Sequence, residues 1–235
     1  MAIYLYCLAR ATADPPQALR GIDGLPVHAV DVGGLRAWIS ETRDAQVTPT
    51  VDRAREHDRV VRAAMDIETP LPARFGQVVA DNSALEEVVA SRREGFAAAL
   101  ESVAGAVEMT VKVSIQSAST PADGTAEPVS AGEGRGRQYL ERVAAAHRRE
   151  QNVLAEAQIV CERVREAVAP LVRAEAFAGT GASSSFASLS HLVPRDQITA
   201  YRSAIQALRA DNPALSLRVS GPWAPYSFTR VGAHE

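Results

Sequence analysis

Apolar and polar positions alternate most cleanly at residues 107–115. Val107, Met109, Val111, Val113 and Ile115 fall on one side, and Glu108, Thr110, Lys112 and Ser114 on the other. A period of two predicts a strand with one wet face. The apolar run 3–8, rich in strand formers, predicts a buried strand. Two further extended runs, 26–32 and 35–39, flank Gly33-Gly34. Both glycines tolerate the positive φ of a tight turn, so the pair predicts a β-hairpin.

The period then changes to helical. Over 50–68, Val51, Ala54, Val61 and Met65 share a face, with His57 and Asp58 on or beside it. Thr69-Pro70-Leu71-Pro72 stops that helix. Residues 73–80 read as a strand. Ser83 with Glu86 forms a capping box, opening one helix whose inner stripe is Leu85, Val88, Val89, Phe96, Leu100 and Val103. Gly105 closes it.

After the strand at 107–115, residues 116–136 are rich in Ser, Ala, Pro and Gly and read as a loop. Residues 139–172 read as helical, with three-four spacing at 140, 143, 147, 150, 154, 157, 161, 164, 168 and 171. All these positions are apolar except His147 and Glu150. The seam suits a coiled coil or a bent amphipathic helix on a globular core. A straight helix of this extent would span roughly 50 Å, against a radius of gyration of about 17 Å for a compact chain of this size. A break is therefore favoured, with Pro170 its site.

Residues 186–193 read as a strand after a 179–185 loop. Pro194 opens a helix with Ile198, Tyr201, Ile205 and Leu208 inward, which Asn212-Pro213 ends, and Leu215, Leu217 and Val219 alternate as a last strand. The order implies an α+β fold of two domains. Residues 1–105 form an N-terminal α+β domain with a hairpin and two helices. Residues 106–220 form a modified ferredoxin-like domain with a long helical segment, provided one more strand is hidden in 186–193 or the loop before it. Residues 221–235 form an extended tail packing between them.

The charge balance changes little. With 25 Lys+Arg against 28 Asp+Glu, the formal charge is −3, and the basic residues are interleaved with acidic ones. Nucleic acid and lipid membrane are not expected partners. No apolar run approaches the roughly 20 residues that cross a bilayer, and no signal peptide is legible, so a cytoplasmic location is expected. Cys7 and Cys161 read as two small buried hydrophobes.

Motifs for chemistry are sparse. Gly132-Glu133-Gly134-Arg135-Gly136-Arg137 lacks the spacing of a phosphate loop. His147 and Glu150, one helical turn apart, lack the second Glu-x-x-His unit of a dinuclear site. No catalytic, cofactor-binding or metal-binding residue is assigned, and no cofactor is expected. One polar constellation stands out. Arg74 follows a proline-stiffened turn, opposite the inner edge of the preceding helix. A guanidinium entering a core needs an anion, so Arg74 is expected to pair with Asp58 or Glu56 as a structural bridge. Pro222, Trp223, Tyr226 and Phe228 carry much apolar area on a stiff backbone, suited to locking the two domains or to docking a partner.

Several segments in shared order carry a family resemblance across nearly the whole chain. They are Tyr4-Leu5-Tyr6; the run 21–27; Gly33-Gly34-Leu35-Arg36-Ala37; His57; Leu71-Pro72-Ala73-Arg74-Phe75-Gly76; residues 107–113; and the closing Gly221-Pro222-Trp223-Ala224-Pro225-Tyr226-Ser227-Phe228. Together they resemble the gas vesicle protein F/L (GvpF/GvpL) family, with Ala224 where the family's closing signature has proline. The resemblance implies two α+β domains, the second a modified ferredoxin fold. It also implies a non-enzymatic, vesicle-associated minor component that nucleates or assembles the shell. The implied partners are the hydrophobic major shell protein and other accessory vesicle proteins. Two rival readings remain: a dimerisation or scaffold module, supported by the seam at 140–171, and a small-molecule enzyme using the Arg74 neighbourhood.

Overall fold

The computed structural model describes residues 1–114, 144–145, 155, 158–177, 186–211 and 216–229. Its first sheet is built on β1 (Ala2–Arg10), β2 (His28–Val32) and β3 (Leu35–Thr42) in the antiparallel order β2-β3-β1. The expected hairpin forms with Gly33 at φ +62° and Gly34 at φ +80°, values that side-chain-bearing residues rarely adopt. A bulge between Leu5 and Cys7 re-aims β1, so that Tyr4, Tyr6 and Cys7 all enter one apolar cluster.

Residues 73–80 do not form the continuous strand expected. Within 71–80, only the two-residue strands β4 (Leu71–Pro72) and β5 (Val78–Val79) form, both on β1, and residues 73–77 turn between them. The helix α1 (Val51–Ile67) begins at the Thr50 cap, whose hydroxyl accepts from the Arg53 N–H. Its inner face is His57, Val60, Val61, Ala64 and Met65, whereas Val51 is 68% exposed. The next expected helix is two. α2 (Asn82–Ser91) and α3 (Arg93–Val103) meet at Arg92, and the N-cap is Asp81, accepting from the Ala84 N–H, not Ser83. The sheet lies between α1 on one face and α2–α3 on the other. Val60, Val61 and Ala64 pack with Tyr4, Tyr6 and Trp38, and Leu85, Val89 and Leu100 pack with Ile3, Leu8 and Ile39.

The second sheet comprises β6 (Ala106–Ser114), β7 (Ala174–Phe177), β8 (Phe186–Pro194) and β9 (Ser216–Trp223), all antiparallel, in the order β7-β8-β6-β9. With α4 (158–168) between β6 and β7 and α5 (Ile198–Asp211) between β8 and β9, this is a ferredoxin-like β-α-β-β-α-β arrangement. The hidden strand is β7. It lies before the 179–185 loop, in a four-residue stretch too short to show a period.

Most of the long helical segment, the 116–136 loop and the 179–185 loop lie outside the described residues. Within them, helix α4 gives way at Val168 to a 3-10 turn (Ala169–Leu171) containing Pro170. Seam positions Cys161, Val164 and Val168 are buried in the chain's own core with Met109 and Leu189. The fold is α+β with two sheets, and one apolar cluster runs from Tyr4 and Val61 through Val107 and Met109 to Tyr201.

Candidate functional site

Three polar networks and an apolar groove stand out around the residues expected to matter. The first network lies between β1 and α1. His57, 3% exposed, meets the Ala73 carbonyl through Nε2 at 3.2 Å and the Tyr4 hydroxyl through Nδ1 at 2.9 Å. A carbonyl only accepts, so Nε2 carries the proton and Nδ1 accepts from Tyr4. The Tyr4 oxygen in turn accepts from the Gly76 N–H at 3.1 Å. Tyr6 bonds Ser40 at 3.0 Å and accepts from the Ile22 N–H at 2.9 Å, while Phe75 stands edge-on to His57. Burial lowers the His57 pKa and raises that of Tyr4 to about 12. Both are neutral struts joining helix, sheet and the 73–76 turn.

The second network lies between β8 and α5. His191 Nδ1 faces the Tyr201 hydroxyl at 2.6 Å, and Nε2 faces Glu175 at 3.2 Å. Burial lowers the imidazole pKa, against the opposing pull of Glu175. Burial alone would raise the Glu175 carboxyl, but its bonds to Arg165 at 2.8–2.9 Å, with His191, hold it below the ordinary value. Arg165 also meets Glu162 at 2.6 Å.

The third network fastens residues 223–228 to the rest of the fold. Buried Glu108 accepts from the Ser227 N–H at 2.8 Å and from its hydroxyl at 2.7 Å. Trp223 lies 4.8 Å beneath the Arg62 guanidinium, which is itself held by Asp58 at 2.6 Å. Tyr226 packs on the cluster containing Tyr4, and Phe228 on that of Leu85 and Leu100. Burial, with the Asp58 charge second, pushes the Tyr226 phenol up. Pro222 is exposed. Gly221-Pro222-Trp223 are the last residues of β9, so the extended tail expected over 221–235 begins as strand and passes into a 3-10 turn (Tyr226–Phe228), its residues 230–235 lying outside the described residues.

The expected Arg74 bridge is absent among the described residues. Arg74 is exposed; Asp58 holds Arg62, and Glu56 accepts from the Asp23 N–H at 2.9 Å. The proline-stiffened turn carries the guanidinium outward, where water solvates it without a partner. Sequence reasoning missed His191, Tyr201, Glu175 and Glu108. A histidine in a β-strand and a glutamate at the start of an alternating strand look like wet-face residues, and only the fold shows what covers them.

Arg74 instead edges a groove of about 210 Å³ between β1 and α2–α3, floored by Leu5, Leu8, Val79, Val89 and Phe96. Its polar side chains are Arg74, Arg92, Gln77 and Thr229. That set can bind a carboxylate but holds no imidazole, carboxylate or thiol to move a proton. Cys7 is fully buried, and burial drives its thiol pKa far up, so it is unreactive. No group of three or more His, Cys, Asp or Glu placed to hold a metal occurs among the described residues, and none of their helices is long and apolar enough to cross a membrane.

The chain is 28% identical over 234 residues to gas vesicle protein L of Streptomyces sp. (strain CB03234), covering 94% of this chain and 86% of that protein. It is 30% identical over 244 residues to gas vesicle protein F of the same organism, covering 97% and 99%. The crystal structure of GvpF from Anabaena sp. PCC7120 superposes with a TM-score of 0.75 at 19% identity, covering 100% of this chain and 98% of that one, a likeness of fold. The family model described as gas vesicle synthesis protein GvpL/GvpF matches residues 2–230. The chain belongs to the GvpL/GvpF gas vesicle protein family and has an accessory role in gas vesicles.

Proposed function

We propose that this protein is a non-enzymatic assembly factor that binds the hydrophobic major shell subunit of gas vesicles, together with other accessory vesicle proteins, and so helps to nucleate or extend the shell. A subunit that faces gas on one side carries apolar surface that aggregates in water. A soluble partner that covers this surface before assembly removes the hazard. The observation that carries the reading is the groove between β1 and α2–α3, whose apolar floor opens to solvent beside Val88, 45% exposed.

Co-expression tests it. The wild-type chain keeps the shell subunit in the soluble fraction, and Val88→Glu, at an exposed position, releases it while the chain stays folded. Equal solubilisation by both chains removes the groove from the reading; no solubilisation by the wild type removes the reading itself.

The tail belongs to the scaffold in this proposal, with boundaries near 105 and 220 separating two units that residues 221–229 hold together. Its contacts with Glu108, Arg62 and the Tyr4 cluster support that role. Truncation after Ser220 then lowers the melting temperature. An unchanged melt with lost partner binding would make the tail a docking element instead. The dimerisation alternative is weakened at Cys161, Val164 and Val168, which the chain covers by itself.

A further inference from the structure

The second sheet ends at β9, whose only strand partner among the described residues is β6, so no described strand covers the backbone groups of its outer edge. A cleft of about 510 Å³ runs along this edge, between β9 and α5. Four consecutive strand residues, 216–219, line it. Successive side chains of a strand point to opposite faces, so a cleft that meets four in a row faces the strand's edge and its backbone.

The charged residues that line this cleft are all of one sign. Arg202 and Arg209 reach the cleft from α5 and Arg218 from β9, and its lining holds no carboxylate. Arg202 is oriented by donating to the Gly221 carbonyl at 2.9 Å. Among the described residues, Arg209 and Arg218 meet no carboxylate. Leu217 is buried toward the core and Arg218 is exposed on the other face, in register with Lys112. Positive charge therefore stands on both faces of the position an added strand would take. Arg202 and Arg209, seven residues apart on a helix, are separated by about 10 Å, roughly the rise of three strand residues.

We propose that the β9 edge receives an extended acidic segment of a partner protein, which adds to the sheet as a fifth strand and sets carboxylates against Arg202, Arg209 and Arg218. Backbone pairing supplies the affinity and the arginines choose the partner. A second copy of this chain is a poor occupant, because pairing β9 with β9 would face Arg218 and its neighbours with like charge. This site is separate from the apolar groove and does not depend on it.

Fluorescence anisotropy with a short labelled peptide of Glu-Glu-Val repeats tests the proposal on the full chain. Saturable binding is expected, weakening as salt is raised. The double variant Arg209→Glu/Arg218→Glu, at two exposed positions, weakens it at least about tenfold, the scale of charge reversal at a complementary surface, with an unchanged thermal melt. A peptide N-methylated at every backbone nitrogen keeps the charge but has no N–H left to donate from either edge, and its binding is lost. No binding of the parent peptide overturns the proposal, as does binding indifferent to the charge reversal. Full binding by the methylated peptide overturns strand addition. Equal competition by inorganic tripolyphosphate at matched charge makes the cleft a small-anion site instead and overturns the proposal in favour of that ligand.

Discussion

Each half of the molecule contains a buried histidine that accepts a hydrogen bond from a tyrosine, His57 from Tyr4 and His191 from Tyr201. The two differ in what holds the second ring nitrogen. His57 ends on the Ala73 carbonyl, a neutral group inside the fold. His191 ends on Glu175, which continues through Arg165 to Glu162 at the surface. The first pair is a closed strut; the second is a chain of charges with one end in water. Burial lowers both imidazole pKa values, and what opposes it differs, chiefly a backbone carbonyl at His57 and a carboxylate at His191.

Breaking the closed strut has the largest expected effect. His57→Ala empties a buried site and leaves the Tyr4 hydroxyl without its acceptor, costing about 3 kcal/mol, within the range for disrupted buried networks. Chemical denaturation measures it, and a loss below about 1 kcal/mol, the net worth of one ordinary hydrogen bond, would mean that the site collapses onto Phe75. Tyr201→Phe comes next. It removes only the donor to His191 Nδ1 and costs about 1–2 kcal/mol, because the Glu175 side of the ring is still satisfied.

These sites mark where the sequence was legible. The hairpin, α1 and the alternation of β6 announce themselves through glycine conformation, a Thr50 cap and a strict period, and all three appear. The ferredoxin-like order was legible except for β7, whose four residues are too short to set a pattern. Arg74 was misread because local chemistry says that a guanidinium after a stiff turn needs an anion, whereas only the path of the chain decides whether it faces core or water. His191, Glu175 and Glu108 were invisible for the opposite reason. Their partners lie 10 to 119 residues away, and no local period encodes such a meeting.

Acid sharpens the comparison. Both imidazoles titrate below the ordinary 6.5, so the folded chain binds fewer protons than the unfolded one. Their stabilising contribution is complete above pH 6.5 and is lost as pH falls from there toward the folded pKa values, at about 1.4 kcal/mol per unit of depression per group. Melting temperatures measured from pH 7.5 downward should fall. Glu175→Gln removes the carboxylate that favours the imidazolium of His191, lowers that pKa further and steepens the acid loss. If the variant has the same slope as the wild type, Glu175 does not feel the ring.

The smallest effect separates Asp58 from Glu175. Both are carboxylates near a buried histidine, and the Asp58 charge does raise the His57 pKa, but as the weakest of its influences. Asp58 spends its hydrogen bond on Arg62, one helical turn along a half-exposed surface, instead of on the ring. Asp58→Asn should therefore cost only a few tenths of a kcal/mol at pH 7, the usual worth of an exposed pair on a helix. It should leave the acid slope nearly unchanged, where Glu175→Gln alters it. A cost above about 1 kcal/mol would exceed that surface value. It would mean that Arg62, freed from Asp58, also leaves the face of Trp223, making the pair part of the clasp on residues 223–228.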